Sequence, residues 1–340
     1  MTLGRISSRL AVVAAVAALS ISGVQAADDA LPTEVPAGVK IVLADDANNA
    51  ASLLRLSGEA DKLAAEVSFA NFSSGPLRLE AIRAGAAQVG AVGDVPPILA
   101  HFSNANVVIV GAVVTSGEGS LITTSPNSGV ETIADLKGKK VGVNVGTAQQ
   151  AILLRNLKAA GLTIEDIQPI NLGLAEFADA LRAGQIDAAV LKQPDRARYL
   201  ASVEGQGNAK ALPNSPGTST NLKYLYASKE ALADPAQAAA IRDLVAHWYR
   251  AHIWKNTNKD IWISEYLVKD QRLNEEDAAL VWDSEGDNTT AAGLKELIAT
   301  QQETIDLLQA AGQFQGKALN AEEEFDLRFA DLGAEALSGN

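Results

Sequence analysis

The chain contains no cysteine. Disulfide staples are excluded, and so is lipid attachment to a cysteine at a processed N-terminus. Histidine is nearly absent as well: His101, His247 and His252 are the three. His247 and His252 lie five apart on an expected helix, so they fall on different faces and do not form a metal-binding pair. The sequence has no G-x-S-x-G elbow, no phosphate loop and no G-x-G-x-x-G turn. Nothing in it nominates a catalytic residue, a metal ligand or a cofactor, and the reading is of a protein that is not an enzyme. Basic charge is short too. Lysine and arginine number 28 against 41 acids, a net charge of −13. That balance argues against nucleic acid and anionic membrane surfaces as partners, although a local site can still oppose the global field.

Long apolar runs are missing except at the front. Arg5 and Arg9 precede the apolar segment Leu10 to Ile21, and Val24-Gln25-Ala26 forms a small-residue cleavage pattern. The segment is too short to span a bilayer, and no stop-transfer pattern follows. Residues 1–26 therefore read as a cleaved signal peptide, with Ala27 as the new N-terminus. The expected location is the periplasm, without a membrane anchor. Loss of this segment removes two arginines and no acid, taking the net charge from −13 to −15.

What remains is βα grammar. Val39 to Ala44, Glu66 to Phe72, Gln88 to Val92 and Val107 to Val114 read as strands. Helices starting near Ala50, Ser73 and Asp94 separate them. Glu118 to Ser125 reads as a strand crossing into a second unit. That unit runs through the strands Val141 to Asn144, Ile167 to Leu172 and Asp187 to Leu191. Leu222 to Ala227 reads as the strand crossing back. The remainder is mostly helical: Pro235 to Asn256, Lys259 to Lys269, Glu275 to Trp282 and Gly293 to Ala311. The pattern predicts an α/β clamshell of two lobes, each a mostly parallel sheet flanked by helices, with the two crossing strands as a hinge. Residues 38–120 with 221–335 form lobe 1, and 121–220 form lobe 2. A monomer is expected.

The carboxyl edge of such sheets is where α/β proteins collect ligands. Three helix starts fall there: Ser73-Ser74-Gly75-Pro76, Gly93-Asp94-Val-Pro96, and Gly146-Thr147-Ala148-Gln149 after Asn144. Free N–H groups and the positive end of a helix suit an anion, and small residues let it reach the backbone. Every helix also needs an ordinary cap, and Thr147 with Gln150 has capping-box spacing. Lys192 and Gln193 follow a strand at the same edge. They suit either an anion or a solvated loop. In the loop Asp45 to Asn49, Asp46 and Asn48 sit at the rim, where an acid either receives a cationic group or caps the next helix. The candidate ligand residues are thus Asp46, Asn48, Ser74, Gly75, Gly93, Asp94, Asn144, Gly146, Thr147, Ala148, Lys192 and Gln193.

These stretches resemble the aliphatic sulfonate-, nitrate- and taurine-binding proteins of ABC importers. The resemblance rests on Ser74-Gly-Pro76 with Leu79-Glu80, and on Gly93-Asp94-x-Pro96-Pro97. It also rests on Ile133-Ala-Asp-Leu-Lys-Gly-Lys-Lys-Val141, Asn144-x-Gly146-Thr147, Asp166-Ile-Gln-Pro169 and Gln301-Gln302. It implies the periplasmic-binding-protein fold and a receptor that closes on a small anionic organic ligand, a sulfonate or aminosulfonate. The receptor would deliver that ligand to a permease driven by an ATPase. A receptor for nitrate or another small solute is the alternative within the same resemblance. Two places depart from the family pattern: Ala44-Asp45-Asp46 stands where relatives often carry Tyr-Gln-Lys, and Lys192-Gln193-Pro194 where many carry Trp-Asp-Pro. An enzyme on this fold and a secreted adhesion module are the other classes. Ligand turnover separates the first from a receptor, and absence of ligand-induced stabilisation the second.

Overall fold

The computed structural model describes residues 1–2, 30–290 and 293–338. The signal-peptide expectation falls almost wholly outside these residues. Residues 31–340 form one compact unit. No helix among the described residues is long and apolar enough to cross a membrane.

The chain starts with β1 (Lys40–Asp45), α1 (Asn49–Leu56), β2 (Glu66–Asn71), α2 (Gly75–Arg83), β3 (Val89–Val92), α3 (Val95–Phe102) and β4 (Val107–Thr115). It then passes through β5 (Ser120–Thr124), β6 (Lys140–Val143), α4 (Ala148–Ala159), β7 (Gln168–Asn171), α5 (Phe177–Arg182), β8 (Ala188–Lys192), α6 (Asp195–Ser202) and β9 (Ala211–Leu212). It returns as β10 (Leu222–Ser228), α7 (Lys229–Ala233), α8 (Pro235–Asn256), α9 (Lys259–Ile261), a π-helix (Trp262–Asp270), α10 (Glu275–Glu285), β11 (Asn288–Thr290), α11 (Ile298–Ala310) and α12 (Leu332–Ser338).

Two sheets result, as the βα grammar implied. The larger lobe holds the strand order β11-β4-β10-β3-β1-β2, and the smaller holds β7-β6-β8-β5-β9. Both sheets are mixed. The ladders β1–β2, β1–β3, β6–β7 and β6–β8 are parallel. β10 lies antiparallel between β3 and β4, and β5 antiparallel between β8 and β9. Each of these two strands belongs wholly to one sheet. Ser120 already pairs with Lys192, and Leu222 with Val114. The crossings themselves are the loops 116–119 and 213–221.

The larger core is built on β4 and β10. β4 is buried along almost its whole length, the near-continuous apolar run of a strand covered on both faces. Tyr224, Tyr226, Trp248 and Trp262 are the largest side chains enclosed there. The smaller lobe has two apolar layers. Val141, Val190 and Leu153 lie in one, and Phe177, Ile186 and Tyr199 in the other. A further cluster joins the lobes: Ala151 and Leu154 of α4 pack with Val95 and Ile98 of α3 and Ile305 and Leu308 of α11. Full burial of each such aliphatic side chain contributes about 1.5–3 kcal/mol.

Some elements differ from expectation. The helix expected over Lys259 to Lys269 widens into the π-helix, where Trp262 stacks on Tyr266 at 4.3 Å. β11 is polar and three residues long, so no alternation announced it. It forms because Asn288 is enclosed by His252 and Asn256, while Thr289 pairs with Val114 of β4. The acidic tail after Gln313 docks on the larger lobe. Asp326 N–H donates to Ile109 O at 3.0 Å, and Arg242 pairs with Glu335 at 3.2 Å.

Candidate functional site

The two carboxyl edges face each other across a cleft of about 360 Å³. On the larger lobe it follows the sheet edge from Ser73 past Asp46 and Gly93 to Lys223 and Thr115. On the smaller lobe it meets Ser120, Thr147, Ala148, Lys192 and Gln193. Topology explains this. β1, β2, β3 and β4 end at the edge and β10 begins there, so the loops that follow these four strands and the one that leads into β10 open into one groove.

Two glycines let the lobes approach. A Cβ on Gly93 would lie 2.7 Å from the Cβ of Ala148, on the opposite lobe. Gly146 has φ +80°, and a Cβ there would lie 2.9 Å from Leu99 Cδ2. Their small size therefore serves contact between protein parts as well as access for a ligand.

Asp45 and Asp46 divide their roles. Asp45 is buried, and its carboxylate accepts N–H bonds from Asp46 (2.7 Å), Ala50 (3.1 Å) and Ala51 (3.0 Å). It caps α1, and burial pushes its carboxyl above the usual range despite those bonds. Asp46 turns into the cleft. Its Oδ2 accepts from Lys192 Nζ on the other lobe and lies 3.8 Å from Arg78 Nη1. Lys192 and Asp46, both singled out in the sequence, are thus partners across the cleft.

Asp94 also bridges the lobes. It is 2% exposed, pairs with Arg155 Nη2 of α4 at 3.0 Å and accepts from Thr220 Oγ1 at 2.9 Å. Gln193 donates to Ser284 Oγ at 3.1 Å, and Arg198 donates to Gln271 Oε1 at 3.2 Å. These contacts hold the cleft narrow.

The α4 start is capped as its spacing predicts. Thr147 Oγ1 accepts from Gln150 N–H at 3.4 Å, while Gln150 Oε1 accepts from Gly146 N–H at 2.9 Å. Asn144 is occupied locally, donating to Leu172 O at 2.8 Å. Asn48 is a left-handed turn residue tied to Asn71. Asn48, Ser74, Asn144 and Gly146 shape the loops without lining the cleft, whereas Gly75 lines it.

Sequence reasoning passed over two cations. Arg78 lies one turn into α2, is 6% exposed and lines the cleft. Its Nη1 donates to Phe72 O at 2.7 Å, and its Nε has no hydrogen-bond partner among the described residues. A surface reading of α2 hides it, because arginine at that spacing usually faces water. Lys223 sits on β10 between Leu222 and Tyr224 and lines the cleft partly buried. A lone charge in an apolar strand was the available signal. Burial pulls its ammonium down to about 8. Behind it, Lys255 pairs with Glu285 at 2.5 Å, beneath the rings of Trp262 and Trp282. His252 is held well below the usual imidazole range by burial and by Lys223 and Lys255, so it is neutral. It bonds Asn288, whereas His247 is bound to Glu59, so the two histidines serve separate places.

Comparison with known proteins gives a consistent picture. The model of the NMT1/THI5-like family matches residues 66–240. A protein of Escherichia coli (strain K12) named for aliphatic sulfonate binding is 31% identical over 243 residues, covering 71% of this chain and 74% of its own. The crystal structure of the periplasmic aliphatic sulphonate-binding protein of Escherichia coli superposes with a TM-score of 0.71 at 26% identity, over 86% of this chain and 92% of that one. The alkanesulfonate-binding protein of Xanthomonas axonopodis pv. citri, bound to MOPS, shares the fold with a TM-score of 0.74 at 24% identity, over 85% and 98%. The two-lobe architecture, the cleft at the sheet edges and the matched sequence together place this chain: it belongs to the NMT1/THI5-like family.

Proposed function

We propose that this protein is the periplasmic solute-binding receptor of an ABC importer. It takes a small organic anion of the sulfonate class into the cleft and delivers it to a membrane permease coupled to an ATPase. One observation carries the choice of ligand. Arg78 is a buried guanidinium with an unpartnered Nε, and it lines the cleft one turn into α2. A buried polar group without a partner is unfavourable, and an oxyanion is the partner a guanidinium best accepts. The N-termini of α2 and α4 add free N–H donors on either side. The relatives named above are binding proteins for sulfonates, which supports the same reading. Cleft size favours an organic ligand over nitrate, since about 360 Å³ lies in the range of small-molecule sites and far exceeds a four-atom ion.

In this reading the ligand's sulfonate lies against Arg78 and the helix ends, with Gly75, Thr147 and Ala148 forming the wall. Lys192 keeps Asp46 from neutralising Arg78. The chain works as a monomer, exported by cleavage after Ala26. Residues 38–120 with 221–335 close against 121–220 about the loops 116–119 and 213–221. Contacts across the cleft, including Lys192 with Asp46, re-form on each closure. The chain performs no chemistry on its ligand.

Thermal shift of the purified protein against short alkanesulfonates, nitrate, carboxylates and amines tests the proposal. Stabilisation by sulfonates above the rest is the expected result, by about 2.7 kcal/mol at a hundredfold excess over Kd. A response to amines alone would sink it.

A further inference from the structure

Among the described residues, four lysine or arginine side chains line the cleft: Arg78, Lys192, Arg198 and Lys223. Arg78 and Lys192 lie within 4.0 Å of Asp46, and Arg198 within 4.0 Å of Asp195. Among the described residues, Lys223 has neither a carboxylate at that distance nor a hydrogen-bond partner. Its neighbour Glu285 is already taken by Lys255. The other charged or titratable groups facing it are Lys192 and His252, and neither can balance it. Two cations share Asp46, so one positive charge is left over at that end of the cleft, and a second sits on the partly buried Lys223 ammonium.

β10 and β1 are neighbours of β3 on opposite sides, so the backbones of Lys223 and Asp46 are two strand spacings apart, about 10 Å. The two surplus charges thus rise from separate places along the cleft, a spacing that suits a ligand with an acidic group at each end. We propose that Lys223 seats a second oxyanion, so that the ligand is a short organic dianion with an acidic group at each end. This rests on the sulfonate reading for the Arg78 end. The second group is a carboxylate or another sulfonate, which the ammonium accepts alike as a point charge.

Binding a dianion restores the full charge on an ammonium that burial has lowered to about 8. Proton uptake near pH 8 is therefore a signature of occupancy at Lys223, and it requires no variant. The experiment is calorimetry at pH 8 in buffers of different ionisation enthalpy, with ethanesulfonate, sulfoacetate and 3-sulfopropanoate as probes. Wild type and Lys223→Gln are compared, with the melting temperature of each recorded. Expected are a preference of at least about tenfold for a dianion in wild type, proton uptake with the dianions only, and collapse of the preference to about one in Lys223→Gln. Equal affinity for mono- and dianions, without proton uptake, would overturn the second seat while leaving the sulfonate reading intact. Failure of every sulfonate to bind wild type would overturn both.

Discussion

Replacing Arg78 with glutamine isolates the group on which anion recognition rests. In the unliganded protein the guanidinium makes one short bond, from Nη1 to Phe72 O at 2.7 Å, and lies 3.8 Å from Asp46. Loss of that neutral-acceptor bond costs roughly 1 kcal/mol, and removing a buried charge with an unpartnered Nε offsets part of it. The urea midpoint of Arg78→Gln should therefore correspond to a change of about 1 kcal/mol or less. With ligand present the balance differs. A charge-assisted bond to a sulfonate oxygen contributes about 1.5–3 kcal/mol, so Kd should rise ten- to hundredfold. Arg78→Lys should fall between, since it keeps the charge but loses the planar fork. Calorimetric titration with a short alkanesulfonate and urea denaturation measure the two halves. A folded Arg78→Gln protein that binds within twofold of wild type would refute the reasoning.

Three further outcomes follow from the same geometry. Lys192→Ala leaves Asp46 free to neutralise Arg78 and should weaken sulfonate binding about tenfold, read by calorimetry. Arg155→Met leaves the buried Asp94 carboxylate without its ion partner and should lower unfolding free energy by about 3–5 kcal/mol in urea. The third concerns pH. His247 is raised above its ordinary value by Asp243 and Glu59, and those two carboxyls are lowered. Stability from the charged imidazole is full below the unfolded histidine value near 6.5 and is lost as pH rises through the folded value. Stability from the two carboxylates is present above their unfolded values near 4 and is lost as pH falls. His247→Gln should flatten the alkaline side of that profile, measured as melting temperature from pH 5 to 9.

The scaffold was legible because its signals are local. Asp234 followed by Pro235 marks the start of α8, and the unbroken apolar run of Val107 to Val114 marks β4. β11 and the π-helix were not legible, because a polar three-residue strand and a widened turn depend on tertiary neighbours such as His252 and Tyr266. The same division runs through the cleft. Glycine-rich loops at strand ends announce themselves, and Gly75, Gly93, Thr147 and Lys192 do line it. Which charges are paired does not show in sequence. Lys192 meets Asp46 across 146 positions, and Asp94 meets Arg155 across 61. Arg78 looks like an ordinary surface charge until its burial and unpartnered Nε are known, and Lys223 is marked only as a lone charge in an apolar strand.

The most direct measurement is calorimetric titration of the ligand-stripped protein with a short alkanesulfonate, nitrate and an alkylammonium ion under one set of conditions. Saturable one-to-one binding of the sulfonate, with little heat from nitrate and none from the ammonium, is the predicted result. Binding of the ammonium ion, or no binding of any sulfonate, would contradict the account.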